Sequence, residues 1–236
     1  MSKITTVLFD LDGTLLPMDQ NAFVGAYFSR LAAKMTERGY DRDTLVKAIW
    51  AGTGAMIQND GRCTNEEAFW RTFCAILGED VRSEEDDLLE FYRNEFQGVR
   101  EVCGYAPEAA VIVRDLKAQG YRVVLATNPL FPAVATESRI RWAGLDPNDF
   151  DMITTFENSR YCKPSLAYYE DILTTLGVSA DACVMVGNDV DEDMIAEQLG
   201  MRTFLLTDCL INKRGEDISK WANGSFGELR EFLTKL

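Results

Sequence analysis

Two aspartates one residue apart, Asp10 and Asp12, carry the first chemistry that this sequence offers. They follow an apolar run, 4–9, that is rich in β-branched residues and typical of a short buried strand. Gly13 predicts a sharp turn directly after them. Alternate side chains of extended backbone point the same way, so the two carboxylates can share a face. Like charges this close are costly unless a cation joins them, and oxygen ligands favour Mg²⁺ over zinc or copper.

Three later segments place polar side chains just past predicted strands, at the sheet edge where Asp10 lies. Thr127 and Asn128 follow an apolar run and offer a hydroxyl and an amide to a phosphoryl oxygen. Lys163 stands at a predicted helix start, where its charge does not favour the helix dipole. The segment 187–193 holds four acidic residues. Taken singly, each segment also has an ordinary structural explanation, as a turn, an exposed loop lysine or a favourable helix N-terminus.

In chain order these segments resemble the four motifs of the haloacid dehalogenase (HAD) superfamily, whose members are mostly phosphatases. The motifs are Asp-x-Asp-Gly-Thr at 10–14, Thr-Asn at 127–128, Lys-Pro at 163–164, and Gly-Asn-Asp with a further Asp at 187–193. The resemblance covers essentially the whole chain. It implies a Mg²⁺-dependent phosphatase that hydrolyses a small phosphorylated metabolite through an aspartyl-phosphate intermediate.

This resemblance implies a role for each matching side chain. Asp10 would be the nucleophile that attacks phosphorus, and Asp12 would protonate the leaving alkoxide and then deprotonate the hydrolytic water. Thr127, with Asn128 beside it, would bind the phosphoryl oxygens. Lys163 would offset the charge shared by the phosphate and Asp10. A covalent carboxyl phosphate replaces one difficult step with two easier ones, and a dianion approaches carboxylates only where cations neutralise them.

The metal ligands implied by the resemblance are the Asp10 carboxylate, the backbone carbonyl of Asp12 and a side chain of the last motif. The commonest form of that motif has Asp directly after Gly, where this chain has Asn188. We favour Asp189 as the direct ligand, because a second carboxylate gives a tighter Mg²⁺ site than an amide. Asn188 is the alternative, and Asp193 would support the ligands without touching the metal.

Composition limits the other chemistry that is available. The chain has 236 residues, 47% hydrophobic and 26% charged, as expected for a soluble globular protein. It contains no histidine, which excludes Ser-His-Asp triads and zinc sites that use histidine. The formal charge of −14 argues against nucleic acid and anionic membranes as partners. An anionic substrate therefore needs a local positive site.

Cysteine usage and the N-terminal sequence predict a cytoplasmic protein. The six cysteines are scattered, without Cys-x-x-Cys pairs, and are expected to be reduced thiols. The first residues lack the apolar stretch of a signal peptide, and no apolar segment approaches the roughly 18 residues of a membrane span. The sequence leaves the oligomeric state open.

The pattern of elements predicts an α/β fold: a Rossmann-like three-layer core with a central parallel sheet, plus an inserted helical bundle. The predicted catalytic core is 1–15 and 104–236, and the predicted helical cap domain is 16–103. We expect the Gly-rich stretch 51–56 to form a break between two cap helices, and we expect Lys47 or Arg62 to contact the substrate. The cap aromatics, Trp50 among them, are expected to lie in its core.

Two other functions stay open from the sequence. One is a phosphomutase acting on a sugar phosphate, which would return the phosphoryl group to its substrate. The other is a non-catalytic regulatory protein that binds phosphate and Mg²⁺. Asp12 argues against the second, because a protein that only binds phosphate does not need a general acid.

Overall fold

Six parallel strands form one sheet in this computed structural model, which describes residues 3–236. The strands are β1 (Thr6–Phe9), β2 (Arg122–Leu125), β3 (Met152–Ile153), β4 (Cys183–Gly187), β5 (Arg202–Leu206) and β6 (Ala222–Gly224). Their order is β3-β2-β1-β4-β5-β6, so the strand that carries Asp10 is central. The predicted parallel α/β sheet is confirmed.

Helices cover both faces of the sheet. They are α5 (Pro107–Ala118), α6 (Ala133–Trp142), α7 (Leu166–Leu176) and α8 (Phe226–Leu233), and residues Met194–Leu199 form a 3₁₀ helix. Alternation along β1 sends Val7 and Phe9 into the core cluster shared with α5 and α8, and Leu8 into the cluster shared with α7. Burial on both sides explains why this strand is a continuous apolar run.

Four helices lie between β1 and α5. They are α1 (Gln20–Glu37), α2 (Arg42–Ile57), α3 (Asn65–Leu77) and α4 (Glu85–Arg93), and 3₁₀ segments flank α4. Asp19, Asp41 and Thr64 cap the first three with their side chains. Within residues 3–236, no helix has the length and apolarity needed to cross a bilayer.

Hydrogen bonds attach the helical segment to the sheet region at several places, two of which bear on how the site is held. Where the chain leaves and returns, Gly104 N–H donates to the carbonyl of Pro17 at 2.6 Å. At the second place Asn65, which is fully buried, donates from Nδ2 to the carbonyls of Pro129 and Tyr161 at 3.3 Å each. The first turn of α3 is therefore bonded to the loops that carry Asn128 and Lys163.

Some local predictions were wrong. The stretch 51–56 continues α2, because Gly52 lets this helix pack against Phe69 of α3: an added Cβ would lie 2.6 Å from Phe69 Cδ2. Trp50 was expected in the cap core but is 54% exposed. Residues Met194–Leu199, which follow the acidic segment 187–193, form a 3₁₀ helix and not an α-helix, and β6 was not predicted.

Candidate active site

The four sequence motifs meet at the carboxyl ends of β1, β2 and β4. Phe9, at the end of β1, lies opposite Leu125 of β2 and Val186 of β4. The ladder runs one step further, since Asp10 N–H donates to the carbonyl of Val186 at 2.9 Å. Strand order also reverses next to β1, between β2 and β4. Open parallel sheets bind ligands at such a switch point.

Lys163 joins two of the motifs to Asp10 through a buried ion-pair cluster. Its Nζ lies 2.8 Å from Asp10 Oδ1 and 2.7 Å from Asp193 Oδ1. The Lys163 side chain is inaccessible to solvent, and the two carboxylates are 10% and 1% exposed. Burial alone would lower the pKa of Lys163, but Asp10 and Asp193 outweigh it and raise that pKa well above its ordinary value. Two carboxylates against one ammonium leave the cluster net negative.

The second oxygen of Asp10 faces Thr14 and Asn188. Thr14 Oγ1 lies 3.3 Å from Asp10 Oδ2 and 3.0 Å from Asn188 Oδ1, so a single hydroxyl proton serves two acceptors. The amide of Asn188 is oriented by its Nδ2, which donates to the carbonyl of Cys209 at 2.6 Å. Gly13 is required here, because it has φ +86° and an added Cβ would lie 2.3 Å from Asn188 Nδ2.

Asp189 points its carboxylate into its own loop. Its Oδ1 accepts from the backbone N–H groups of Asp191 and Glu192 at 2.8 and 3.0 Å. Its backbone N–H donates to Asp193 Oδ2 at 3.0 Å. The Thr14 hydroxyl thus links Asn188 Oδ1 to Asp10 Oδ2, whereas Asp189 Oδ1 is held by its own loop.

Asp12 forms an ion pair with an arginine that was not predicted from the sequence motifs. Arg139 Nη1 of α6 donates to Asp12 Oδ2 in a close contact, and the arginine side chain is wholly buried. The other oxygen, Asp12 Oδ1, is buried and has no hydrogen-bond partner among residues 3–236. Burial raises the pKa of Asp12, Arg139 opposes that shift, and the charge of Asp10 adds to it.

Arg139 is itself held in place. Its guanidinium lies 4.5 Å from the centre of the Phe131 ring, and Nη2 donates to Thr136 Oγ1 at 3.3 Å. The sequence did contain a signal for it: Arg139 follows Ala135 by four residues and precedes Trp142 by three, so it lies on the buried face of α6. A charge on such a face needs a buried partner.

Thr127 and Asn128 occupy the loop after β2. The backbone carbonyl of Thr127 accepts from Thr154 Oγ1 at 2.7 Å and from Tyr168 Oη at 2.9 Å, which fixes a buried residue at the edge of the sheet. Asn128 Nδ2 donates to Glu192 Oε2 at 3.0 Å. The donor of Asn128 is thereby used within the protein.

Glu192 brings one more acidic side chain close to these loops, and the motif comparison did not single it out. Burial, with the charges of Asp193, Asp189 and Asp10, raises the pKa of Glu192 to about 7 against the opposing charge of Lys163.

Of the two cap cations predicted to contact substrate, Arg62 pairs with Asp60 and has a side chain that is 87% exposed.

Oxygen atoms around Asp10 suit a hard cation. Among the described residues, no group of three or more His, Cys, Asp or Glu side chains is arranged to hold a metal ion. Asp10 Oδ2 and Asn188 Oδ1, which flank one hydroxyl, are a carboxylate and an amide oxygen. Mg²⁺ is commonly held by one or two carboxylates with water and substrate phosphate as the remaining ligands, so this donor set fits it.

Comparison with known proteins now identifies the family. The haloacid dehalogenase-like hydrolase family matches residues 4–199, well over half of the chain, so this chain belongs to that family. The chain is 25% identical over 203 residues to a pyrophosphatase, PpaX, of Bacillus cereus strain AH820, covering 85% of this chain and 82% of that one. It is 25% identical over 227 residues to a phosphoglycolate phosphatase of Colwellia psychrerythraea, covering 94% of each.

A solved structure shares the fold. The HAD hydrolase YfnB of Bacillus subtilis, solved bound to magnesium, is 20% identical, with a TM-score of 0.55 over 99% of this chain and 100% of that one. The YfnB structure is described as revealing interdomain movement in that protein.

Replacing Lys163 by Met leaves Asp10 and Asp193 buried and unneutralised. We expect Lys163→Met to lower the free energy of unfolding by about 3–5 kcal/mol, and Asp193→Asn in the same chain to restore part of the loss. The measurement is chemical denaturation at neutral pH with EDTA present. Lys117→Met is the matched control, because Lys117 pairs with Asp151 at the surface, and it should cost less than about 1 kcal/mol. Equal losses in the two single variants would contradict the assignment.

Proposed function

We propose that this protein is a magnesium-dependent phosphatase that hydrolyses a small phosphorylated metabolite through an acyl phosphate (aspartyl-phosphate) of Asp10. The observation that carries this proposal is that the two aspartates of the first motif have different surroundings. Lys163 neutralises Asp10 at one oxygen, and Asp12 has one oxygen that is buried and has no partner among residues 3–236. Similarity to a phosphoglycolate phosphatase and a pyrophosphatase supports a phosphorylated substrate.

Asp10 is placed to act as the nucleophile. A carboxylate at the bottom of a negative site repels a phosphate dianion, and Lys163 reduces that repulsion through its contact with Oδ1. The cluster with Asp193 holds the ammonium in position, so the charge needs no rearrangement when phosphate arrives. Asp10 then attacks phosphorus and displaces the alkoxide, and water later cleaves the acyl phosphate.

Asp12 supplies the proton for the departing alkoxide. Arg139 holds the carboxyl group by Oδ2, which leaves Oδ1 as the oxygen that carries the proton. Burial favours the protonated form that this step needs. Once the alkoxide has left as an alcohol, the ionised Asp12 takes a proton from the hydrolytic water.

We propose Asp10 Oδ2, the backbone carbonyl of Asp12 and Asn188 Oδ1 as protein ligands of the magnesium ion. Bound there, the ion would neutralise the developing charge on the phosphoryl oxygens. Asn188 replaces our sequence-based choice of Asp189, since Asp189 Oδ1 already accepts two backbone N–H groups. Asp193 contributes by holding Lys163.

The rest of the proposal concerns the setting of the site. We propose residues 16–103 as a cap over the core formed by 1–15 and 104–236, with access controlled by cap movement. Free cysteines at all six positions agree with a cytoplasmic protein. Nothing in the geometry favours a phosphomutase, which would move the phosphoryl group within a sugar phosphate without releasing it.

The direct test is phosphate release from 4-nitrophenyl phosphate and from phosphoglycolate. We expect release that EDTA abolishes and Mg²⁺ restores, and a loss of at least about 10³-fold in Asp10→Asn, which lacks the nucleophile. Asp60→Asn, a change at an exposed acid of the cap, should keep full activity. Release by Asp10→Asn at the wild-type rate, or no release from any phosphomonoester, would overturn the proposal.

The ligand assignment predicts different magnesium requirements for two neighbouring variants. Asn188→Ala removes the proposed ligand oxygen, so the Mg²⁺ concentration for half-maximal activity should rise by about 10-fold or more. Asp189→Asn keeps the acceptor for the two loop N–H groups and should change that concentration by less than about threefold. The reverse pattern, measured by magnesium titration of the activity, would assign the metal to Asp189.

The role of Arg139 is tested by varying the leaving group. Arg139→Met frees the Asp12 carboxyl group, so hydrolysis of an alkyl phosphate should fall by about 10²-fold or more. A 2,4-dinitrophenyl ester, whose leaving group needs no proton, should lose less than about 10-fold. Asp12→Asn should show the same selectivity, and combining the two changes should add little.

A loss shared equally by the alkyl and dinitrophenyl esters would reduce Arg139 to a structural residue. Arg139→Lys, which keeps the positive charge, separates loss of the ion pair from loss of packing against Phe131. Thermal unfolding of each variant confirms that the comparison is made on folded protein.

A further inference from the structure

A partly open apolar cavity of about 170 Å³ lies among helices α1 to α4, and Asp10, Asp12 and Lys163 are not among the residues that line it. Helices α1 to α4 form most of its wall, and residues 130–132 and 156 of the core close one side. Its wall is mainly aromatic and aliphatic, including Tyr27, Phe28, Ile49, Phe69, Trp70 and Phe131. Both the cap and the core therefore contribute to this cavity.

The cavity is partly open to solvent, and its volume is large for an apolar space among packed helices. Interiors are packed as densely as organic crystals and keep few voids larger than a water molecule. An engineered apolar cavity of roughly 150 Å³ stays dry and binds benzene. A cavity of this volume and lining accordingly suits one six-membered ring with a small substituent.

One polar group in the wall is left without a partner. Trp70 is 7% exposed, and its indole Nε1 is buried with no acceptor among the residues that the structure describes. Arg82 lies 4.3 Å from the centre of the indole ring and packs against its face. A buried N–H without an acceptor is costly, so an occupant that brings an oxygen acceptor would be favoured.

Trp50 connects the cavity with solvent. It is the one strongly exposed side chain in the described wall, at 54%, and its ring stacks on Phe28 with 5.1 Å between centroids. On the opposite side Phe131 separates the cavity from Arg139, whose guanidinium lies 4.5 Å from the Phe131 ring. An occupant would thus sit one side chain away from the arginine that holds Asp12.

We propose that this cap cavity binds a small aromatic molecule or group, about one ring in size, that presents a hydrogen-bond acceptor to Trp70. Two sources share this chemistry: a free ligand, and the apolar part of a substrate ester. The binding proposal is independent of the proposed phosphatase activity, because it can be measured without turnover.

The probe pair is acetophenone and α-methylstyrene, which have the same shape but differ in the carbonyl acceptor. We expect acetophenone to raise the Tm of the wild type and to bind in calorimetry about 3- to 10-fold more tightly than α-methylstyrene. Trp70→Phe removes the indole N–H together with the five-membered ring, so it should abolish that preference, while α-methylstyrene, which has no acceptor to lose, should still bind. Val24→Phe fills the cavity and should abolish binding of both, whereas Val111→Phe, at an exposed site on α5, should not.

Failure of both probes to bind the wild type at millimolar concentration would overturn the proposal. An acetophenone preference that survives Trp70→Phe would overturn the assignment of Trp70 as the hydrogen-bond donor. To separate the sources, hydrolysis of benzyl phosphate and methyl phosphate is compared in the wild type and Val24→Phe. A selective loss of kcat/KM for the benzyl ester supports a substrate group in the cavity, and unchanged selectivity supports a free ligand.

Discussion

The active site depends on keeping several carboxylates close together away from water. Lys163 makes this possible, because its one buried ammonium contacts two carboxylates. Asp10 is 153 residues away in the chain and Asp193 is 30 residues away. Buried charges are tolerated when they are paired and hydrogen-bonded, and all three of these are. Strands β1 and β4 end at the same level of the sheet, which brings Asp10 close to the segment that carries Asp193. The sheet register therefore places the carboxylates that Lys163 neutralises.

The second carboxylate, Asp12, is held in place by a different cation. Arg139 binds it from α6 and is packed between Phe131 and the helix backbone. Lys163 and Arg139 therefore fix Asp10 and Asp12 separately, each through one oxygen. This division leaves Asp10 Oδ2 bonded to the Thr14 hydroxyl and Asp12 Oδ1 without a partner among residues 3–236. Two acids of the same type can perform different tasks because their surroundings differ.

The sequence predicted the parts of the site that local patterns encode. Asp10, Asp12 and Lys163 were recognisable because each stands at a fixed position after a strand or before a helix. Arg139 was not, since its role depends on how α6 is turned toward β1, and a lone arginine in a helix is usually exposed. The choice between Asn188 and Asp189 depends on the path of one tight turn that their similar side chains do not reveal. Gly52 was read as a helix break, although here it allows two helices to approach closely.

The buried Asn65 junction has a consequence for how the molecule opens. The helical segment is bonded to the rest of the molecule where Gly104 donates to Pro17, where Gln97 bonds with Ser138 and Trp142, and where Asn65 donates to Pro129 and Tyr161. Any separation of that segment from the sheet region would break the Asn65 bonds, which end on the loops that carry Thr127 and Lys163. Displacement of the helical segment and rearrangement of those loops are therefore coupled through one buried side chain.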